Sequence, residues 1–269
     1  MHVDQLARAT QEALAVVKKV ATFIEGELGK VSVAQIETKS LNSLVSYVDI
    51  TAEEMLVEGL APILPDPTFL TEEATVITQK SEFQWIIDPL DGTTNFLHQI
   101  PVFAISVGLL AGEDLAIGIV YEVNRHEAFY AWKGGGAFLN GKPIRVRPSL
   151  TLQDALMATG FPYYNYESIE PYFEVLGHFM REARGIRRLG AAAVDLAYVA
   201  CGRFDAFFEY SLNSWDVAGG AVIVREAGGE VYDFSGGTDF LHGKQIIATN
   251  PAIRKEMLEI VGNAFGKLK

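Results

Sequence analysis

Residues 85–96 read WIIDPLDGTTNF. Trp85, Ile86 and Ile87 have the character of a buried strand end, and two carboxylates follow at once, Asp88 and Asp91, with Pro89 between them. Acids are costly to bury unless a counter-charge or hydrogen bonds compensate them. Gly92-Thr93-Thr94-Asn95 can then open a helix. A helix cap explains one of the aspartates but not both. A covalent aspartyl phosphatase would need D-x-D-x-T, whose acids, two apart on an extended segment, face the same side. Here the spacing is three and Pro89 is expected to force a turn, so that match fails. The remaining reading is a cation site. Asp88, Asp91 and the turn carbonyl of Leu90 offer the oxygen donors that hard cations prefer. Gly92, Thr93 and Thr94 present free N–H groups to an anion at the helix start. A cation site beside a phosphate site is the layout for metal-assisted attack on a phosphate ester.

Such a site needs further acids. Asp216, in WDVAGGAVIVREAGG, opens a helix whose small residues permit close packing. Glu72 and Glu73 follow the apolar pair Phe69-Leu70. Taken singly, Asp216 is more often a cap and the two glutamates an exposed loop.

Around these segments the chain divides in character near Pro148. A first helix is expected from a cap at Asp4, with Leu6, Ala13, Val16, Val17, Val20, Ile24 and Leu28 on its apolar face and Gly29 at its end. Thr51-Ala52-Glu53-Glu54 has the form of a capping box opening a second helix to about Leu64. FAISVGLLAG, DLAIGIVYEV, HEAFYAW and GAFLNGKPIRV then predict an antiparallel meander. Beyond Pro148, strands and helices alternate: ALMATG, a helix over 167–184, another from Gly190 to about Ala200, FDAFFE, a helix from Trp215 to Ala227, EVYDF, QIIATN, and a last helix started by Asn250-Pro251. The expectation is a layered α+β and α/β sandwich. An antiparallel meander half with the metal site, residues 1–147, meets a mixed α/β half, residues 148–269, that closes it.

Lys and Arg number 22 against 34 Asp and Glu, a net charge of −12. So acidic a chain lacks the electrostatic footprint for nucleic acid or an anionic membrane, but suits divalent cations. No apolar run reaches the length of a transmembrane helix and no signal peptide is visible. A single cysteine, Cys201, excludes an internal disulfide and favours a reducing cytoplasm. Within VDLAYVACG it reads as a buried thiol, not a nucleophile.

Taken in order, WIIDPLDGTTNF and WDVAGGAVIVREAGG resemble the two signatures of the inositol monophosphatase family, magnesium-dependent, lithium-sensitive phosphatases. LVSYVD, FLTEEA, GGGAFLNGKPI and RRLGAAAVDLAYVACGRFDAFFE extend the resemblance over most of the chain. It implies an α-β-α-β-α sugar-phosphatase fold and two to three magnesium ions. Glu72, Asp88 and the Leu90 carbonyl would hold the first, and Asp88, Asp91 and Asp216 the second; Glu72 would also approach a looser third. Thr93, paired with Asp49, would orient and deprotonate the attacking water, with no covalent intermediate. Asp49 on the residues alone is an acid near a helix start. Gly92, Thr93 and Thr94 would hold the phosphate; Asp91, Ala192 and Glu209 would contact the hydroxyls of the leaving alcohol. The resemblance also implies a homodimer.

Departures from the family pattern fall in KSLNSLVSYVD, where Lys39, Asn42 and Asp49 remain but Ser43 replaces an acid and Ser46 a threonine; loss of the acid at position 43 is expected to loosen the first loop or the third ion. Thr71 stands where a glycine is usual, and Asn213 lies where relatives vary. The function implied is hydrolysis of inositol monophosphate or a similar small polyol or sugar phosphate. Fructose 1,6-bisphosphate, 3′-phosphoadenosine phosphate and NADP are alternatives on the same site, since the pocket sets the substrate. An alternative of another class is a regulatory protein-binding scaffold with secondary phosphatase activity. The tyrosines of the loop FPYYNYES, 161–168, are expected to supply rim packing or a dimer contact rather than catalysis.

Overall fold

A computed structural model describes residues 1–40, 43–74, 81–148, 151–162 and 166–266. The first half runs α1 (Val3–Glu27), a hairpin of β1 (Ile36–Ser40) and β2 (Ser43–Ser46), α2 (Tyr47–Leu60), β3 (Thr68–Thr71), β4 (Phe83–Asp91), α3 (Thr93–Leu97), β5 (Ala104–Ala111), β6 (Asp114–Glu122), β7 (Glu127–Trp132), β8 (Gly136–Leu139) and β9 (Lys142–Ile144). The second runs β10 (Leu156–Thr159), α4 (Ile169–Glu182), β11 (Gly185–Arg187), α5 (Ala192–Ala200), β12 (Ala206–Tyr210), α6 (Ser214–Glu226), β13 (Glu230–Tyr232), β14 (Gln245–Thr249) and α7 (Arg254–Phe265).

Strands β3 to β9 form one seven-stranded sheet in chain order, antiparallel except for the parallel pair β3–β4. The smaller sheet has the order β11-β10-β12-β14-β13 and is mixed. Three apolar clusters define five layers. Leu14, Val17 and Ile24 of α1 and Leu56 of α2 pack on Trp85, Leu109 and Ile117 of the large sheet. Leu196 and Val199 of α5 and Val222 and Ile223 of α6 fill the space between Val120 and Phe129 on one side and Phe207 and Ile246 on the other. Val175 and Phe179 of α4 and Met257 and Val261 of α7 cover Met157, Phe208 and Ile247 on the outer face of the small sheet. The α-β-α-β-α sandwich is thus built as expected. Among the described residues no helix is long and apolar enough to cross a membrane.

Several boundaries differ from the sequence reading. Helix α1 begins at Val3, with His2 rather than Asp4 as its cap residue. Helix α2 begins at Tyr47, because Ser46 and Asp49 close an earlier capping box and bring Thr51 inside the helix. It ends at Leu60, and a 3₁₀ turn at Ala61–Ile63 follows. Pro89 makes no turn: β4 runs through it to Asp91, and the pairing with β5 shifts register between Asp88 and Asp91. A strand bulge tolerates a residue that cannot donate. Asn250 accepts from Ala252 and Ile253 N–H, but helix α7 starts only at Arg254. The hairpin β1–β2 and the short strands β3 and β11 were not foreseen. Thr71 is ordinary extended strand, so glycine's freedom is not required there. Expectations about Asn42, and about the side chains of Lys39 and Ser43, fall outside the described residues, as do positions 163–165 of FPYYNYES.

Candidate active site

The bulge that ends β4 places two acids one after the other at a sheet end. Asp88 is 2% exposed and its Oδ1 accepts the Leu90 N–H at 2.9 Å. Asp91 is 8% exposed and its Oδ2 accepts the Ala193 N–H at 2.7 Å, so the first turn of α5 holds it from the far side. Gly92 then turns the chain into α3 with φ +91°. A side chain there would also meet the carbonyl oxygens of Val102 at 3.1 Å and Gly190 at 3.3 Å, so only glycine fits. Buried Asn95 locks this corner: its amide donates to the carbonyls of Val102 at 2.8 Å and Leu189 at 2.9 Å.

Two other acids arrive at helix starts. Asp49 Oδ2 accepts the Ser46 N–H and Oγ–H, each at 2.8 Å, and Asp49 Oδ1 accepts the Thr93 hydroxyl at 2.9 Å. Thr93 Oγ1 also lies 3.1 Å from the Leu90 carbonyl oxygen. Asp216, at the start of α6, accepts the Asn213 N–H at 2.6 Å. Glu72 follows β3, anchored by its backbone N–H to the Ile87 carbonyl at 3.2 Å. Beside it, buried Glu53 accepts the Glu73 N–H at 2.7 Å. Glu53, read from sequence only as part of a cap, thus fixes the loop that carries Glu72.

Glu72, Asp88, Leu90, Asp91, Gly92, Thr93, Thr94, Ala192, Glu209 and Asp216 line one cleft between the two sheets. Asp49 stands behind it, reaching the cleft through Thr93. Sequence reasoning missed Gly160, Arg188 and Asp195, which also line it. Asp195 is 1% exposed, and its Oδ1 has no hydrogen-bond partner. The signal available was a lone acid within the apolar run AAAVDLAYVA.

Electrostatics set the character of the cleft. Burial pushes Asp88 well above the ordinary carboxylate value, and the charges of Glu72, Asp91 and Asp216 push it further. Asp91 is raised to about 7, by burial first, with the α5 N–H of Ala193 opposing. Burial raises Asp216, with Glu72 and Asp91 adding repulsion. Burial also raises Glu209 and Asp195, with Arg188 opposing in both. Asp49 is raised by burial against the hydrogen bonds of Ser46 and Thr93. Among the described residues no three His, Cys, Asp or Glu side chains already stand together as a closed cation cage. The acids line one cleft. As a donor set they fit a hard divalent ion: every donor is oxygen, and each acid gains from a positive neighbour.

A family model described as the inositol monophosphatase family matches residues 5–264. The inositol-1-monophosphatase of Mesorhizobium japonicum is 38% identical over 244 residues, 90% of this chain and 92% of that protein. The Nus factor SuhB of Escherichia coli K12 is 38% identical over 247 residues, 91% and 92% of the two chains. Among solved structures, the extragenic suppressor protein suhB of Bartonella henselae superposes with a TM-score of 0.88 at 38% identity, covering 94% of this chain and 98% of that one. An IMPase of Thermotoga maritima gives 0.85 at 33% identity, covering 95% and 97%. With sequence and fold in agreement over nearly its whole length, this chain belongs to the inositol monophosphatase family and is an enzyme of the phosphoric monoester hydrolase class.

Proposed function

We propose that the chain hydrolyses the phosphate ester of a small polyol, inositol monophosphate first among them, with magnesium held by Glu72, Asp88, the Leu90 carbonyl, Asp91 and Asp216. The observation that carries the reading is the contact of Thr93 with Asp49 at the edge of that acidic cleft, 2.9 Å long and fixed from behind by Ser46. Magnesium, when bound, supplies charge to the phosphoryl oxygens and acidifies the attacking water. The remaining work falls to the chain. Thr93 hands its proton toward Asp49, which directs the hydroxyl oxygen's lone pairs at the cleft to take a proton from water. Asp49 suits this task because burial raises its basicity. The N–H groups of Gly92 and Thr93, with Thr94 beside them, hold the phosphate. Ala192, Asp91 and Glu209 contact the hydroxyls of the alcohol. A homodimer accompanies this reading by family likeness.

The test is phosphate release in magnesium from inositol 1-phosphate, fructose 1,6-bisphosphate, 3′-phosphoadenosine 5′-phosphate and NADP, with Asp91→Asn as control. Preference for inositol 1-phosphate, lost in the variant and inhibited by lithium, supports the reading; preference for another ester moves the substrate assignment, and full turnover after chelation overturns the metal site.

Relatives bearing the name Nus factor SuhB favour a second reading, a protein-binding regulator with secondary phosphatase activity. Asp91→Asn separates the two, since a regulator keeps partner capture when turnover is gone.

A further inference from the structure

The strand β10 ends at Thr159, and Gly160 comes next, alongside β12 in parallel register, where Thr159 pairs with Phe208. Gly160 therefore lies beside Glu209. The contact is unusually close. A Cβ on Gly160 would sit 2.1 Å from Cδ, Oε1 and Oε2 of Glu209 alike, on the face of the carboxyl group. The glycine backbone here has no positive φ, so the constraint is space, not conformation.

Nor can the backbone withdraw. The Tyr172 hydroxyl donates to the Gly160 carbonyl at 2.6 Å and lies 2.8 Å from Thr159 Oγ1, which in turn lies 2.7 Å from the Phe208 carbonyl oxygen. Tyr172 is itself fully buried, ringed by Phe208 and Tyr210. The β10 end is thus pinned to β12, and any added atom has to be accommodated by the Glu209 carboxyl. Glu209 is 7% exposed and lines the cleft with Arg188, Asp195 and Asp216.

We infer that Gly160 is a positioning residue that sets where the Glu209 carboxyl meets the alcohol half of the substrate, and so governs selectivity for hydroxyl-bearing alcohols. The inference rests on the proposed contact of Glu209 with those hydroxyls. A methyl at Gly160 would push the carboxyl by more than about 1 Å to restore ordinary van der Waals distance, a displacement that costs a hydrogen bond its geometry.

The experiment compares wild type, Gly160→Ala, Glu209→Gln, Glu209→Asp and the double variant Gly160→Ala/Glu209→Asp on two esters in magnesium. Inositol 1-phosphate presents hydroxyls to Glu209; 4-nitrophenyl phosphate presents none. Gly26→Ala, on α1 with nothing within 4 Å of the added methyl, is the control for a methyl as such. Gly160→Ala is expected to raise KM for inositol 1-phosphate about tenfold, the cost of one misplaced charged hydrogen bond. Its kcat on 4-nitrophenyl phosphate should stay within about twofold of wild type. The shorter aspartate side chain leaves room for the methyl, so the double variant should be no worse than Glu209→Asp alone, a non-additivity diagnostic of direct coupling. An unchanged KM in Glu209→Gln would remove the substrate contact and this inference with it. A raised KM in Glu209→Gln with no change in Gly160→Ala would leave the contact standing and overturn the role of Gly160. Equal losses on both esters, or strict additivity in the double variant, would also overturn it.

Discussion

Asp49 and Asp216 occupy equivalent places in unrelated segments. Each is the third residue of a helix, and each spends one oxygen on the backbone N–H of the cap residue, Ser46 in one case and Asn213 in the other. The cap fixes the carboxyl, and the second oxygen of Asp49 is left for Thr93. Local helix chemistry thereby orients a group whose value lies at long range. Thr93→Ala removes the hydroxyl that links Asp49 to the cleft. Its kcat should fall by about 10²- to 10⁴-fold, the usual worth of a positioned proton carrier. KM should change little, and Thr93→Ser should recover most of the rate; steady-state kinetics on all three proteins decide it, and an unaltered kcat in the alanine variant removes Thr93 from the proton path. At this scale the sequence was informative where acids break an apolar pattern. Asp88 and Asp91 stood out because they interrupt a buried strand, and each of the predicted residues lines or backs the cleft. Arg188 and Asp195 did not stand out, since one is an ordinary loop arginine by sequence and the other a single polar residue in a helix. Only the packing of α5 against the cleft gives them a place.

The elements that carry the acids owe their depth to missing side chains. Helix α6 lies on the strands of the large sheet so closely that a Cβ on Gly118 of β6 would stand 2.2 Å from the Gly219 carbonyl oxygen and 2.8 Å from Val222 Cβ. Backbone cannot give way as a side chain can. Gly118→Ala should therefore destabilise by about 1–3 kcal/mol, as overpacking does. It should also weaken magnesium binding, because α6 brings Asp216 to the cleft; calorimetric titration of the folded variant checks this, and wild-type affinity would mean that helix and sheet are less tightly coupled than the contact implies. A second link joins β7 to the end of α5. Glu127 accepts both Nη groups of Arg203, at 2.5 and 2.6 Å, and that guanidinium lies over the rings of Tyr198 and Phe129. The Arg203 hydrogen bonds hold the Glu127 carboxyl below its ordinary value. A lowered folded pKa gives stability above the unfolded value, near 4.5, that is lost as pH falls through the folded one. Glu127→Gln should accordingly destabilise the protein at pH 7 by about 1 kcal/mol after solvent screening and lower its melting temperature, with the gap to wild type closing as the pH falls below the unfolded value and through the lowered folded one. Melting curves across pH test it, and a gap that persists in acid would trace the effect to packing. Elements with their own pattern were legible: the strands β5 to β8 are rich in β-branched and aromatic residues and are punctuated by turns. The three- to five-residue strands β1, β2, β3 and β11 have too few residues to show a period and take their form from a partner. The start of α2 was misplaced because Ser46-x-x-Asp49 and Thr51-x-x-Glu54 both have cap character, and the earlier one prevails by its contact with Thr93.

Across the whole molecule, the two sheets meet where the acids gather, and the layered fold tolerates them at a cost. Asp88, Asp91 and Asp216 are each raised by burial and by the charge of Glu72, in a chain already carrying a net charge of −12. On the proposed metal site, the cleft is therefore a weak point of the ion-free protein and would be a strong point of a magnesium-loaded one. Magnesium that binds only the native state should stabilise it by about 2.7 kcal/mol at a hundred times its dissociation constant. Asp91→Asn removes one of the repelling charges while keeping the shape that accepts the Ala193 N–H. In EDTA this variant should melt above wild type, since burying the amide costs less than burying a charge among like charges. In magnesium the order should reverse on the proposed metal site, because the variant would lack one of its proposed ligands and gain little from the ion, and turnover should be gone. Scanning calorimetry of the two proteins with and without the ion reads both signs at once. A wild-type melting temperature indifferent to millimolar magnesium would reject the cleft as a cation site. An inactive variant that melts below wild type in EDTA would mean instead that Asp91 is chiefly a structural anchor for α5, its charge tolerated for the sake of the Ala193 hydrogen bond.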